Sequence, residues 1–364
     1  MLKFEYLEEE IDVFDLTVED NHNFYADGIL VHNCQEIDLP TKPLSNLYDE
    51  SGEISLCTLA AINWGKIRGP HDFERLCTLI VRALDELLDY QDYPVAAARR
   101  STLSRRPLGI GIINFAYWLA RNDLTYQGIT PEGLQKIHTY TEAWSYYLIK
   151  ASIDLAMEKG ACPLSNETKY HYGQFPIDTY KKEVDELVNP VYNMDWAGLR
   201  VLAAKYGIRN STLMALMPSE TSAQVSNSTN GIEPPRSLVS IKASKDGVLK
   251  QVVPEIRRLK NKYDLLWDQK SPEGYLKICA VLQKFIDQGI SVNTSYNPEH
   301  YPLEKGETVH KIPMSEMISH VVMFYKYGGK QLYYFNTYDG AGEQEVVTRP
   351  PEDIVEDDCE SCKI

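Results

Sequence analysis

Two hydrophobic rhythms run along this chain, and they change near residue 34. Ahead of it, Ile11 and Val13, then Leu16 and Val18, alternate with polar residues in the two-residue period of a strand. Asp27-Gly28 supplies a turn, so residues 1–33 read as two or three short strands. Beyond residue 34 the period lengthens. Residues 72–89 place Leu76, Ile80, Val81, Leu84, Leu87 and Leu88 on one helical face, with Cys77 on the same helix as a core residue. Residues 133–158 form a second long helix, stopped by Gly160. Strand-like runs fall at 107–113, 212–217, 238–242 and 331–336. Such alternation argues for an α/β architecture. The last two dozen residues hold Pro350-Pro351, many acids and little apolar periodicity, so a flexible tail is expected over 341–364.

Composition narrows the function classes. A 364-residue chain with 43% hydrophobic and 24% charged residues is ordinary for a globular protein. Its longest apolar runs are too short for a membrane span, and no signal peptide is evident. A net charge of −15 argues against nucleic acid as a partner, and the Arg99-Arg100 and Arg105-Arg106 cluster is too small to reverse that. Seven scattered cysteines are not a secreted disulfide framework, so a reducing cytoplasm is expected.

The junction His32-Asn33-Cys34 carries distinctive chemistry. An asparagine side-chain amide can attack its own carbonyl, form a succinimide and release the next residue, and His32 is placed to assist as an acid. A cysteine thiol, with a free pKa of about 8.5, can first accept an acyl group as thiolate. The string from Val13 to Asn33 resembles the C-terminal motifs of inteins. The resemblance implies that His32 and Asn33 carry cyclisation, that Asp15 and His22 assist earlier acyl steps, and that Cys34 is the acceptor. With Met1 only 32 residues before Asn33, it further implies a C-terminal split-intein fragment that splices in trans. An ordinary β-hairpin is the competing reading.

From Cys34 onward the chain resembles the C-terminal half of the large (alpha) subunit of class I ribonucleotide reductase. The resemblance rests on strings in order: Cys34 to Leu44, Gly52 to Leu59, Leu87 to Pro94, Met217-Pro218-Ser219-Glu220-Thr221-Ser222, Asn230-Gly231-Ile232-Glu233-Pro234-Pro235, Ser240 to Gly247, and Leu332-Tyr333-Tyr334. It implies a ten-stranded α/β barrel of two five-stranded halves, with residues 34–340 giving the second half.

The site residues follow from that resemblance. Cys34 is implied as the thiyl that takes a ribose hydrogen, and Glu36 as general base on the 3'-hydroxyl. On an extended segment residues i and i+2 share a face, so both can meet one substrate. Cys57 is implied as one member of the redox pair; without the motif, core packing is the simpler reading. Pro218, Ser219, Glu220, Thr221 and Ser222 are implied to hold the substrate diphosphate at a helix start, where unpaired N–H groups favour anions; a plain N-cap is the bland alternative. Tyr333 and Tyr334, read as adjacent aromatics in a strand, are implied as the last radical stepping stones, although 24 tyrosines and β-propensity offer a simpler account. Cys359 and Cys362 are implied as the tail dithiol that re-reduces the site, with two residues between them where familiar members have four. A zinc half-site competes, but no second Cys/His pair follows at usual spacing. Gly109-Ile110-Gly111 imitates a dinucleotide fingerprint without its third glycine and later acid.

The expected whole is a precursor. An N-terminal half of the alpha subunit, bearing the other intein piece, is the implied partner and would carry the ATP and dNTP effector sites and the second redox cysteine. The family's catalytic Asn lies two residues before the radical Cys, where this chain has His32, so activity is expected only after splicing. No cofactor or metal is expected on this chain. The radical would come from a di-iron/tyrosyl small (beta) subunit, reducing equivalents from thioredoxin or glutaredoxin, and the substrate would be a ribonucleoside diphosphate. The alternatives are a non-catalytic remnant or regulatory subunit docking on a complete reductase, and a cobalamin-dependent reductase, which would not need the tyrosine pair.

Overall fold

The computed structural model describes residues 23–26, 29–32, 36–46, 48–244, 247–303 and 309–338, with the backbone alone at 23–32 and 241–249. The strands are β1 (Asn23–Ala26), β2 (Ile29–His32), β3 (Leu59–Asn63), β4 (Gly109–Ile113), β5 (Val239–Ser244), β6 (Gly247–Val252), β7 (Thr294–Tyr296) and β8 (Phe335–Thr337). The helices are α1 (Asp72–Tyr90), α2 (Ala96–Arg105), α3 (Phe115–Arg121), α4 (Pro131–Lys159), α5 (Pro176–Thr179), α6 (Trp196–Tyr206), α7 (Glu220–Val225), α8 (Ile256–Leu259), α9 (Glu273–Gln283) and α10 (Met314–Lys326).

The short strands join into one parallel series. β3 pairs in parallel with β4, Ile110 bridges in parallel to Met214, Leu216 to Ile290, and β7 pairs in parallel with β8. Extended segments around 59–63, 109–113, 213–217, 289–296 and 333–337 therefore lie side by side in chain order. The expected strand at 212–217 appears only as isolated bridges, for a physical reason. The N–H groups of Leu213 and Met214 donate to the Asp287 carboxylate, each at 2.8 Å, rather than to a neighbouring strand. Burial raises the Asp287 pKa, while these N–H groups and the Tyr170 hydroxyl oppose the rise. β1 pairs antiparallel with β2 on either side of the expected Asp27-Gly28 turn, the alternating run from Ile11 to Val18 lying outside the described residues, and β5 pairs with β6 as a second hairpin.

The helices cover the sheet as amphipathic pattern dictates. On α1 the buried stripe is Phe73, Cys77, Val81, Leu84 and Leu88. Leu76 and Leu87, expected on that face, sit on its flank at 36% and 43% exposure. α4 begins two residues earlier than expected because Thr130 caps it, its side chain accepting from Gly133 N (3.1 Å), with Pro131 at the first position. It ends at Gly160, whose φ of +85° suits a residue without Cβ. Trp64, Phe73, Phe115, Trp118 and Tyr140 interlock in this core, with ring centroids 5.0 to 6.5 Å apart.

A charged group also lies inside. Lys284, at the end of α9, is 1% exposed. Its Nζ donates to Asp185 Oδ1 (2.7 Å), lies 3.1 Å from His138 Nε2 on α4, and faces the rings of Tyr180 and Tyr192 at 4.5 and 5.1 Å. Desolvation, then the Lys284 charge, depress the His138 pKa to about 3. The ring is therefore a neutral acceptor for Lys284.

Gly109 and Gly111 have a packing explanation. A Cβ on Gly109 would lie 2.6 Å from both Ile37 and Leu59 side-chain carbons, and one on Gly111 would lie 2.5 Å from the Met217 sulfur and 3.0 Å from the Ala215 carbonyl oxygen. The bare face of β4 thus admits the segment carrying Glu36 and Ile37. Gly111→Val should lower unfolding free energy by about 1–3 kcal/mol through overpacking. An unchanged urea midpoint would contradict this close approach.

Candidate active site

Glu36 is the centre of the described site. It is fully buried, and its carbonyl accepts from Gly289 N at 2.7 Å, which fixes the incoming chain against the 289–296 segment. Ser291 Oγ donates to Glu36 Oε2 at 2.5 Å. Oε1 is buried and has no hydrogen-bond partner among the described residues. A buried carboxylate oxygen without a donor is costly unless a ligand approaches it. One oxygen is thus held by the fold, and the other is available to accept a proton.

Cys57 lies just ahead of β3, close enough to Glu36 for the two to interact electrostatically. Desolvation first, and the Glu36 charge second, push its thiol pKa up. Part of the residue still reaches solvent, and among the described residues it forms no disulfide, so the core reading of this cysteine is overturned. Cys77 and Cys279, in contrast, are fully buried.

The Met217–Ser222 string closes one end. Leu216 and Ile290 bridge, so Ser219 and Asn293 each stand three residues beyond the same rung. α7 opens at Glu220, as the string predicts, and its first in-helix bond runs from Ala223 N to Ser219 O at 2.9 Å. The first-turn N–H groups therefore face out of the helix start. Ser219 does not cap this helix through its side chain. Its hydroxyl lies 3.4 Å from Met217 O, and its N–H donates to Asn230 Oδ1 at 2.8 Å.

Tyr333 and Tyr334 correct one expectation. They precede β8 rather than lying within it, and both are partly buried. Their ring centroids are 4.0 Å apart at an interplanar angle of 35°, and the Tyr334 hydroxyl donates to that of Tyr333 at 3.1 Å. Leaving the regular strand is what lets consecutive rings share a side.

Two residues of this site were not singled out by pattern. Ser291 and Asn293 alternate on one face of the segment beside Tyr333, the first bonding Glu36 and the second bonding Glu233 Oε1 (2.7 Å). A polar-apolar-polar run in a strand was the available signal, and it is indistinguishable from a solvent-facing edge. Asp15, His22, Asn33, Cys34, Cys359 and Cys362 lie outside the described residues, and of His32 only the backbone, in β2, is described. Among the described residues no cluster of His, Cys, Asp and Glu is arranged to hold a metal, and no helix is long and apolar enough to cross a membrane.

A family profile described as "Ribonucleotide reductase, barrel domain" matches residues 13–335. The chain belongs to the ribonucleotide reductase barrel-domain family. The matched span takes in 13–33 as well as the segment from Cys34. The ribonucleoside-diphosphate reductase subunit alpha of Buchnera aphidicola subsp. Schizaphis graminum is 54% identical over 328 residues, covering 90% of this chain and 42% of that protein. Ribonucleoside-diphosphate reductase 1 subunit alpha of Escherichia coli K12 is 52% identical over 333 residues, and the subunit alpha of Enterobacteria phage T4 is 42% identical over 338. Each alignment covers 91% of this chain and 42% of the relative, so the chain spans about two fifths of the length of these reductases.

Proposed function

We propose that this chain, joined to the remainder of an alpha subunit, forms the part of a ribonucleoside-diphosphate reductase that carries out radical chemistry on the substrate ribose. The observation that carries the reading is Glu36: one carboxylate oxygen tied to Ser291, the other buried and available, with Cys57 interacting electrostatically with the same group. In this reading a thiyl radical on Cys34 takes the 3'-hydrogen, and Glu36 accepts the 3'-hydroxyl proton. The 2'-hydroxyl leaves as water. Cys57 and a second cysteine supply two electrons and two protons and become a disulfide, the proton on Glu36 returns to the 3'-oxygen, and the 3'-hydrogen returns from Cys34. A thiol with a raised pKa suits Cys57 because it remains a proton donor at neutral pH. The α7 start would receive the diphosphate, and Tyr333 and Tyr334 would relay the radical from a beta subunit to Cys34. Cys359 and Cys362 would regenerate Cys57, with thioredoxin or glutaredoxin as the reductant in a reducing cytoplasm. The test is ribonucleoside-diphosphate reduction by the assembled reductase, meaning the joined alpha subunit with its beta subunit. Cys34→Ser should abolish turnover; retained activity would leave a docking or regulatory role instead.

We further propose that residues 1–33 are a C-terminal intein fragment, with His32 and Asn33 performing cyclisation, Asp15 and His22 assisting acyl transfer and Cys34 accepting the incoming chain in trans. The motif from Val13 to Asn33 supports this, together with the β1–β2 hairpin that ends at His32. Co-expression with the N-terminal partner should yield a ligated product lacking residues 1–33 by mass spectrometry, and Asn33→Ala should retain them. A product that keeps 1–33 without the substitution would make these residues part of the barrel domain, in line with the matched span.

A further inference from the structure

The backbone at Tyr333 and Tyr334 contains one residue too many for a regular ladder. In a parallel pair, one residue supplies both the N–H and the C=O that bond to either side of its partner. Here Tyr333 N donates to Val292 O at 2.8 Å, but Thr294 N donates to Tyr334 O at 2.9 Å. Two residues stand where one belongs, which is a β-bulge. The bulge explains how neighbouring rings come to share a side with centroids 4.0 Å apart.

A bulge leaves an N–H without its ladder acceptor, and an unsatisfied N–H in a partly buried place is unfavourable. In this chain Asn293 Oδ1 accepts from Tyr334 N at 3.1 Å. The same amide donates through Nδ2 to Glu233 Oε1 at 2.7 Å, so both ends of the Asn293 side chain are engaged. Ser291, two residues earlier on the same face, bonds Glu36. One segment thereby fixes the carboxylate with one side chain and the tyrosine pair with the next.

We propose that Asn293, braced by Glu233, is the positioning residue that sets the Tyr333–Tyr334 ring contact by accepting the N–H of the inserted residue. Its catalytic consequence rests on the radical-relay reading above; its structural consequence does not. The test places 3-fluorotyrosine at position 333 or 334 of the full chain and compares the wild type with Asn293→Leu, which cannot accept the N–H, and with the swapped pair Asn293→Asp with Glu233→Gln, in which the carboxylate accepts both the Tyr334 N–H and the Gln amide. Asn293→Leu should move both fluorine resonances, and in the assembled reductase it should lower kcat by tenfold or more with the nucleotide KM unchanged. Displacement of reacting groups by about 1 Å is enough to cost on the order of 100-fold. The swapped pair should keep the resonances near their wild-type positions and restore most of kcat. Resonances that do not move in Asn293→Leu would overturn the proposal, as would a kcat loss that the swapped pair does not recover. If Asn293→Leu loses its far-UV circular dichroism, Asn293→Ala takes its place with the same two readouts. If Tyr333→Phe and Tyr334→Phe leave the reductase active, the relay reading fails, while the fluorine shifts still decide what Asn293 does.

Discussion

Glu36→Gln in the assembled reductase will lower kcat by about 10²- to 10⁴-fold, the range lost when a positioned general base is removed. The nucleotide KM will change little, because proton acceptance matters in the transition state rather than in substrate binding. Glutamine matches the carboxylate in size, can keep a hydrogen bond to Ser291 Oγ and keeps the carbonyl bond to Gly289 N, so the thermal midpoint should hold. This pattern separates a chemical role from a structural one. A variant with unchanged kcat would remove Glu36 from the reaction, whereas one with a lowered thermal midpoint would make the carboxylate a strut for the 289–296 segment. Ser291→Ala should produce a smaller kcat loss in the same direction, since it releases the oxygen that the fold holds.

The second large effect is on stability against acid, and it comes from the buried Lys284–His138–Asp185 cluster. Folded His138 titrates at about 3, against an ordinary value of 6.5. Between those pH values the unfolded chain binds a proton that the folded chain refuses. Stability therefore rises with pH across this window, is fully present above 6.5, and is lost as pH falls toward 3. The full shift corresponds to on the order of several kcal/mol at about 1.4 kcal/mol per unit. The groups facing the ring are Lys284 and Asp185, with Tyr180 and Tyr192 around the ammonium. Lys284 is also pushed down from its ordinary 10.5 by desolvation. His138→Gln keeps an acceptor near Lys284 and cannot titrate. Urea unfolding from pH 7 to pH 4 should show a steep decline for the wild type and a much shallower one for this variant. Equal slopes would assign the acid sensitivity to the carboxylates.

Which parts of this arrangement were legible in the sequence follows from how far apart the cooperating residues lie. The α1 and α4 helices and the β1–β2 hairpin announce themselves through local period, turn and stop residues, because each is stabilised by neighbours within a few positions. Cys57 and the Met217–Ser222 string were legible through their place in an ordered set of motifs, not through chemistry of their own. Ser291 was not legible, since its bond to Glu36 closes 255 residues of chain and nothing near residue 291 reports residue 36. Asn293 was hidden for the same reason, with Glu233 lying 60 residues away. The tyrosine pair was read as strand because β-propensity averages over a window, while the bulge depends on one inserted residue and on an amide from the next segment. Residues 212–217 failed as a continuous strand because the Asp287 carboxylate, and not a neighbouring strand, accepts two of their N–H groups.

The bond from Gly289 N to the Glu36 carbonyl fixes a point only two residues from Cys34. Two residues of extended chain reach at most about 7 Å. Glu36 is therefore moored to the 289–296 segment through its own backbone. On the splicing reading proposed above, an incoming polypeptide would be joined two residues from a landing stage that is already built.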